Sequence, residues 1–417
     1  MIDFSEKFSC CGCGACVQSC PQGCISLHED REGFLYPAVL IDNCLECGSC
    51  EAVCPMLGER SGIKPEAVFA AKASSDSIRK NSSSGGVFYL LASSVIEKGG
   101  IVFGARFNES WEVEHGSADT IDGLRSFMGS KYVQSKIGNT YAEAESFLTK
   151  GRRVLFSGTP CQIAGLQSFL KKRYDGLLLV GIVCHGVPSP MVWRDYLSFI
   201  CQKNSRESKR EKRSENDENN RIPSIKSISF RDKTDGWKQY GFTMTLQKSD
   251  NHFGEMNRTS ESKGRSIVIH ENHRNNLFMR GFLSNLFLRP SCYQCKFKGG
   301  RCGADIILGD FWGVQSILPE VDDDKGVSLV LTNTENAMNM IRRLDIQLHE
   351  VSYQVAFLKN PCLENSVKKP TDRDLFFEQY NKFGVTIIEK YLSNNKPTVL
   401  SKIKRRIRQV LAKVLNC

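Results

Sequence analysis

Two copies of one cysteine pattern constrain the start of this chain more than any other feature. Cys10, Cys13, Cys16 and Cys20 precede Pro21, and Cys44, Cys47, Cys50 and Cys54 precede Pro55, each in the spacing Cys-x2-Cys-x2-Cys-x3-Cys-Pro. Three closely spaced thiolates wrap one face of a 4Fe-4S cubane, and the fourth crosses to a neighbouring cluster. The spacing therefore predicts one cluster on Cys10, Cys13, Cys16 and Cys54, and a second on Cys44, Cys47, Cys50 and Cys20. Gly12, Gly14 and Gly48 let the backbone turn tightly and aim N–H groups at sulfur. A zinc site is the alternative, and two complete copies of the pattern argue against it. Cys11 and Cys24 fall outside the spacing and read as small buried residues.

The chain has 417 residues and 18 cysteines, ten of them before residue 60. In a reducing compartment such crowding means metal rather than disulfides. No apolar run approaches the roughly eighteen residues of a spanning helix, and the N-terminus lacks a basic stretch followed by an apolar one. A cytoplasmic protein is expected. The formal charge of +10 raises the question of nucleic acid. Each cluster with its four thiolates carries roughly −2, so three clusters would leave roughly +4. No RNA or DNA motif accompanies the charge, and no nucleic-acid partner is expected.

The length suggests two or three domains. Beyond Lys64 strand and helix patterns alternate. Helices are expected at Val87–Glu97, Thr140–Leu148 and Ile163–Lys171. Strands are expected at Ile101–Phe107, Val154–Ser157 and Leu177–Cys184, then at Ile225–Arg231, Tyr240–Leu246, Asp305–Leu308 and Ser328–Thr332. The alternation argues for βαβ units and a mixed sheet. The predicted class is α+β: a small bacterial-type two-cluster ferredoxin domain over 1–60, a larger α/β domain over 64–360, and a C-terminal extension over 361–417. Lys203–Asn220 holds no apolar residue and reads as a solvated or partly disordered insertion. Gln247–Arg265 is similar but milder.

Four further cysteines carry chemistry. Cys161 follows the strand Val154–Ser157 at the start of a helix, where a thiolate is favoured. Cys184 ends the next strand. Both then lie at the carboxyl edge of one sheet, where ligand sites collect. Cys292 and Cys295 form a Cys-x2-Cys pair. Together they are enough for a third 4Fe-4S cluster. The alternative is a zinc knuckle at Cys292 and Cys295, with Cys161 and Cys184 buried separately and Cys302 as a possible substitute ligand. His185 could move protons beside Cys184, or be a hydrogen-bonded structural residue.

Ser82, Ser83, Ser84, Gly85 and Gly86 precede a helix whose N-terminus could receive an anion such as a pyrophosphate, although such a string is also a plain N-cap. No GxGxxG follows a strand, so a bound dinucleotide would not be held in Rossmann fashion. Lys131 and Tyr132 put a cation and a phenol side by side. They could serve phosphate or a flavin ring edge, or be a surface lysine beside a half-buried tyrosine. Asp310, between glycines at a strand end, is a site residue or a turn.

The segments SSSGGVF, FGARF, GSKYVQS, VLFSGTPCQIAGL, CHGVPSP, ISFRDK, LRPSCYQCKF and GDFWG occur here in order. Together they resemble the coenzyme F-420 hydrogenase/dehydrogenase beta-subunit family, from about residue 10 to about residue 345. The resemblance implies a flavoprotein binding FAD, with a 4Fe-4S cluster close by. Its ligands would fall in the motifs that here contain Cys161, Cys184, Cys292 and Cys295. The Ser-Gly-Gly and Lys131–Tyr132 segments look like the family's flavin-pocket elements. Two departures stand out: a complete ferredoxin at the front, and the polar insertion Lys203–Asn220. Members with the fused ferredoxin are similar to bacterial proteins of surface-polysaccharide gene sets.

The expectation is an iron–sulfur flavoprotein oxidoreductase that passes electrons from an external donor, such as a reduced ferredoxin, through the clusters to FAD and on to an unidentified small-molecule or protein acceptor. The alternative is an electron-transfer subunit with no substrate of its own. In the tail, Lys402, Lys404, Arg405, Arg406 and Arg408 alternate with apolar residues. A helix there would carry a basic flank and could lie on an anionic membrane surface or dock on protein.

Overall fold

The computed structural model describes residue 2 and residues 6–211, 223–247 and 266–394. Its centre is an eight-stranded mixed sheet in the order β13-β3-β12-β11-β7-β6-β4-β5. The strands are β3 (Ala67–Ala73), β4 (Ile101–Phe107), β5 (Val113–Ala118), β6 (Val154–Gly158), β7 (Leu177–Ile182), β11 (Ile306–Asp310), β12 (Ser328–Thr332) and β13 (Ile346–Glu350). Strands β4, β6, β7 and β11 run parallel, and antiparallel strands close both flanks. Alternate residues of each strand feed opposite faces. Phe103, Phe156, Leu179 and Ile307 pack on one face; Val102, Leu155, Val180 and Ile306 pack on the other.

In the first sixty residues Gly14 and Gly48 adopt φ 74° and 70° and start the short helices Ala15–Gln18 and Ser49–Ala52. A side chain would be strained at either position. The hairpin β1 (Ile25–Glu29) and β2 (Leu35–Val39) lies between the two cysteine motifs. This segment does not stand apart from the rest of the molecule. Cys13, Ala15, Val53 and Met56 join the sheet's own core. Arg60 donates to Ala164 O at 3.0 Å and to Ser168 Oγ at 2.7 Å. Glu32 forms a buried ion pair with Arg373 at 2.7 Å.

A three-stranded antiparallel sheet of β8 (Ser224–Asp232), β9 (Gly241–Gln247) and β10 (Ser266–Asn272) forms a second layer. Its core is aromatic: Trp193, Tyr196, Phe230, Phe242 and Phe278. The helices Arg373–Phe383 and Ile387–Asn394 add Phe376, Tyr380 and Tyr391 to this core. Residues 361–394 are thus integral packing, while Lys402–Leu415 lies outside the described residues.

Three expectations need correction. Residues 203–211 are not loop: they continue the helix Pro190–Glu211. Lys, Arg and Glu are good helix formers and need no buried face; the rest of the expected insertion, to Asn220, lies outside the described residues, as does most of Gln247–Arg265. The helix expected at Ile163–Lys171 begins earlier, at Pro160, because Thr159 and Gln162 form a reciprocal capping box with Pro160 at the first position. The strand expected to reach Cys184 ends at Ile182, leaving Cys184 just past the sheet edge.

Candidate metal centre and adjoining pocket

Four groups of side chains line one face of the molecule, beginning with the outermost cysteines. Cys20, Cys44, Cys47 and Cys50 surround a pocket of about 370 Å³ with Leu45 and Glu46 at its rim. Cys47 is exposed. Cys24, unassigned by the spacing, lines the same pocket, with its sulfur 3.4 Å from that of Cys20. Cys10, Cys13, Cys16 and Cys54 lie further in. Burial pushes the Cys16 thiol up to about 12, with Cys10 and Cys54 as its nearest charged neighbours.

The third group is assembled from distant parts of the chain. Cys161 sits in the first turn of the helix Pro160–Leu170, Cys184 follows β7, and Cys292 lies in the turn Pro290–Gln294 with Cys295 directly after it. Parallel pairing of β6 and β7 brings the first two to one sheet edge. All four act on one another's charge: Cys184 interacts with Cys161, Cys292 and Cys295. Burial holds Cys184 well above its ordinary value and pushes Cys292 up to about 12. Cys11, read from sequence as a filler, is a buried neighbour of both Cys13 and Cys161. It therefore lies between the inner ferredoxin cysteines and the third group.

The surroundings test what these thiols could hold. Arg289 and Lys298 are buried beside them, and among the described residues neither meets a carboxylate. Lys298 Nζ donates to Cys184 O at 2.5 Å and Cys362 O at 2.8 Å. Two buried cations require anions nearby. Neutral thiols supply none, whereas cluster-bound thiolates would, so the residues fit an anionic iron–sulfur cluster. Among the described residues no three of His, Cys, Asp or Glu converge on a single ion, which would hold sulfur at about 2.3 Å; a cubane spreads its thiolates more widely. Cys302 is buried near Cys295, and His185 bonds Asn285 Oδ1 at 2.6 Å.

The fourth group borders a pocket of about 1290 Å³ that reaches the third group through Thr159, whose Oγ1 lies 3.2 Å from Cys161 Sγ. Ser82, Ser83, Ser84 and Gly86 line it at the N-terminus of the helix Val87–Ile96. Gly85 is not part of its wall. A Cβ there would stand 2.3 Å from Ala71 O, so this residue packs the turn against the sheet. Ser83 Oγ accepts from Ser130 N at 2.7 Å, joining the serine turn to the segment that carries Lys131 and Tyr132. Lys131 Nζ donates to Ser126 O and Met128 O at 2.8 and 2.9 Å, and burial pulls it down to about 7. Tyr132 stacks on Phe282 at 4.8 Å. Asp310 pairs with Arg231 at 2.6 Å and also accepts from Trp237 Nε1 at 3.1 Å.

Sequence reasoning missed His115 and Gln162 in this wall. His115 Nε2 donates to Ser157 O at 3.0 Å, so its Nδ1 accepts from Ser135 Oγ at 2.9 Å. Burial pushes His115 down to about 4. A histidine in the middle of an ordinary strand carries no motif, and only its place opposite β6 reveals it.

Cysteine groups at a sheet edge beside a large pocket define the class: an iron–sulfur electron-transfer protein. Residues 151–352 match the family described as the C terminus of the coenzyme F420 hydrogenase/dehydrogenase beta subunit, and residues 9–57 match the 4Fe-4S dicluster domain. The chain belongs to that beta-subunit family and carries the dicluster domain in front. It is 24% identical over 188 residues to the F subunit of F(420)H(2) dehydrogenase of Methanosarcina mazei, covering 42% of this chain and 53% of the relative. It is 45% identical over 42 residues to Ferredoxin 7Fe of Hydrogenibacillus schlegelii, covering 10% of this chain and 47% of that ferredoxin. The chain spans about half the length of the curated relatives it matches. The F420-reducing NiFe hydrogenase complex from Methanosarcina barkeri, in a xenon derivative, aligns with a TM-score of 0.40 at 16% identity, over 80% of this chain and 93% of that one. Among the described residues no helix is long and apolar enough to cross a membrane.

Proposed function

We propose that the chain is an electron-input oxidoreductase. It would take single electrons from an external donor such as a reduced ferredoxin and deliver them, through three 4Fe-4S clusters and FAD, to an acceptor bound beside the flavin. The observation that carries this reading is the third cysteine group, which stands between the ferredoxin cysteines and the large pocket and shares Thr159 with that pocket's wall. When bound, the clusters supply one-electron storage and the flavin supplies conversion to two-electron transfer. Everything else falls to the protein.

Cys10, Cys13, Cys16 and Cys54 would ligate the inner ferredoxin cluster. Cys20, Cys44, Cys47 and Cys50 would ligate the outer one, and Cys161, Cys184, Cys292 and Cys295 the third. Ser83, Ser84 and Gly86 would present a helix N-terminus to the pyrophosphate, with Gly85 seating the turn. Lys131 and Tyr132 would border the isoalloxazine. Neutral His115 fixes Ser135 and, through it, Gln162, whose Nε2 donates to Ser135 Oγ at 2.8 Å. A neighbouring cleft of about 1820 Å³, lined by Phe107, Trp111, Arg125 and Lys226, shares Lys131 with the flavin pocket and would admit the acceptor.

A second reading has one observation in its favour. Leu40, Ile41 and Leu45 are exposed near the outer cysteines, as a protein-docking face would be. The chain would then serve within a larger complex, as the names of its relatives describe them, and the acceptor would be a partner protein. Involvement in surface-polysaccharide metabolism is part of the proposal and rests on the resemblance alone.

Anaerobic purification with iron, sulfide and flavin counting tests the first reading. About twelve irons and one FAD per chain are expected. Eight irons and no flavin would overturn it and leave a ferredoxin. Steady turnover of the isolated chain with a small acceptor then separates an enzyme from a relay.

A further inference from the structure

Four arginines are buried among the described residues: Arg79, Arg231, Arg289 and Arg373. Three meet a carboxylate: Arg79 pairs with Asp323, Arg231 with Asp310 and Arg373 with Glu32. Arg289, which exposes 0% of its surface, meets none. Its guanidinium donates from Nε to Cys10 O at 2.9 Å, from Nη1 to Gln134 Oε1 at 3.0 Å and from Nη2 to Leu35 O at 2.9 Å. Nη2 also lies 3.5 Å from Cys10 Sγ. The Tyr36 ring faces the guanidinium at 4.3 Å. The other charged neighbours are Cys11 and Cys292.

Room for this group is built into the ferredoxin loop. A Cβ on Gly12 would stand 2.7 Å from Arg289 Nη1, so the absent side chain is what admits the guanidinium. An arginine cannot shed its proton. Carbonyls and a ring give it only partial negative charge, and a full positive charge so deeply buried is strongly unfavourable without an anion. Cys10 as a cluster thiolate is that anion. The outer pocket differs: its described lining holds Glu46 and no lysine or arginine.

We propose that Arg289 is a positioning residue whose fixed charge makes the inner ferredoxin site, with Cys10, the better electron acceptor of the two. Each electron released by the outer site is then taken up by the inner one, one for one, and the direction of flow is toward the main domain. A nearby cation favours the more negative, reduced form of whatever it faces, and the hydrogen bond to the Cys10 sulfur acts in the same sense. The proposal rests on the reading that the eight ferredoxin cysteines hold two clusters.

The test uses the full chain, assembled anaerobically, with iron and sulfide counted before an EPR-monitored redox titration. With the iron content unchanged, Arg289→Met should make one ferredoxin cluster at least tenfold poorer as an acceptor, a drop of about 59 mV for a one-electron couple. The other ferredoxin cluster should not move. Gln134→Glu places a carboxylate where the amide oxygen already accepts Nη1, and should lower the same potential while keeping the fold. Arg289→Lys, which retains the charge, should recover most of the wild-type value. Unchanged potentials in both Arg289→Met and Gln134→Glu overturn the proposal. If Arg289→Met does not assemble, an unmoved potential in Gln134→Glu overturns it alone. A wild-type chain that binds no ferredoxin iron overturns the reading beneath it, and the iron count shows this before any potential is measured.

Discussion

The outer ferredoxin cysteines and the third cysteine group use the same side chain in opposite settings. Cys20, Cys44, Cys47 and Cys50 come from two nearby turns, open to solvent at Cys47, with leucine and glutamate at the rim. Cys161, Cys184, Cys292 and Cys295 come from three distant stretches, lie deep, and have buried cations beside them. The contrast teaches that accessibility and charge grade along this face. The outer site is arranged to meet another molecule, and the inner one to keep its charge balanced without water.

The largest effect should come from removing a cysteine of the inner group. Cys184→Ser and Cys47→Ser are each expected to lose about four of about twelve irons, but only the first should isolate the flavin. Stopped-flow reduction of the flavin by dithionite should slow in Cys184→Ser by at least the roughly 100-fold that even a change beside a ligand can cause. It should stay close to wild type in Cys47→Ser, because a small reductant can bypass the outer site. Equal slowing in both variants would break the distinction.

The seam between the regions comes next. Glu32→Gln leaves Arg373 buried without its carboxylate and should cost about 3–5 kcal/mol in urea unfolding. A smaller pH effect belongs to His115. Its folded value of about 4 lies below the ordinary 6.5, so between these the unfolded chain binds the extra proton. Stability is therefore complete above 6.5 and should fall by about 3 kcal/mol as the pH drops toward 4. His115→Gln should flatten that part of the profile. Least affected should be the outer rim: Leu45→Ser is expected to change stability by less than about 0.5 kcal/mol. If a protein donor docks there, the same variant weakens its uptake.

Much of this is legible in the sequence where chemistry is local. The eight ferredoxin cysteines and their glycines are read from spacing because their contacts are made within a few residues. The parallel strands β4, β6 and β7 are read from apolar runs. The third group can be picked out as a set, but its convergence depends on strand order, which spacing does not encode. Arg289 looks like any arginine before a proline, and its isolation from carboxylates emerges only when residues from both ends of the chain close over it. Pro190–Glu211 misleads because a wholly charged stretch lacks the periodicity that marks a helix packed on a core.

The ion pair between Glu32 and Arg373 spans 341 residues of chain. At about 5–20 residues per second of synthesis, the second partner follows the first by roughly 20–70 seconds. For that interval the nascent ferredoxin loop is made but not yet clamped. Iron delivery to the inner cysteines thus has a window set by translation, and it narrows once the C-terminal helices arrive.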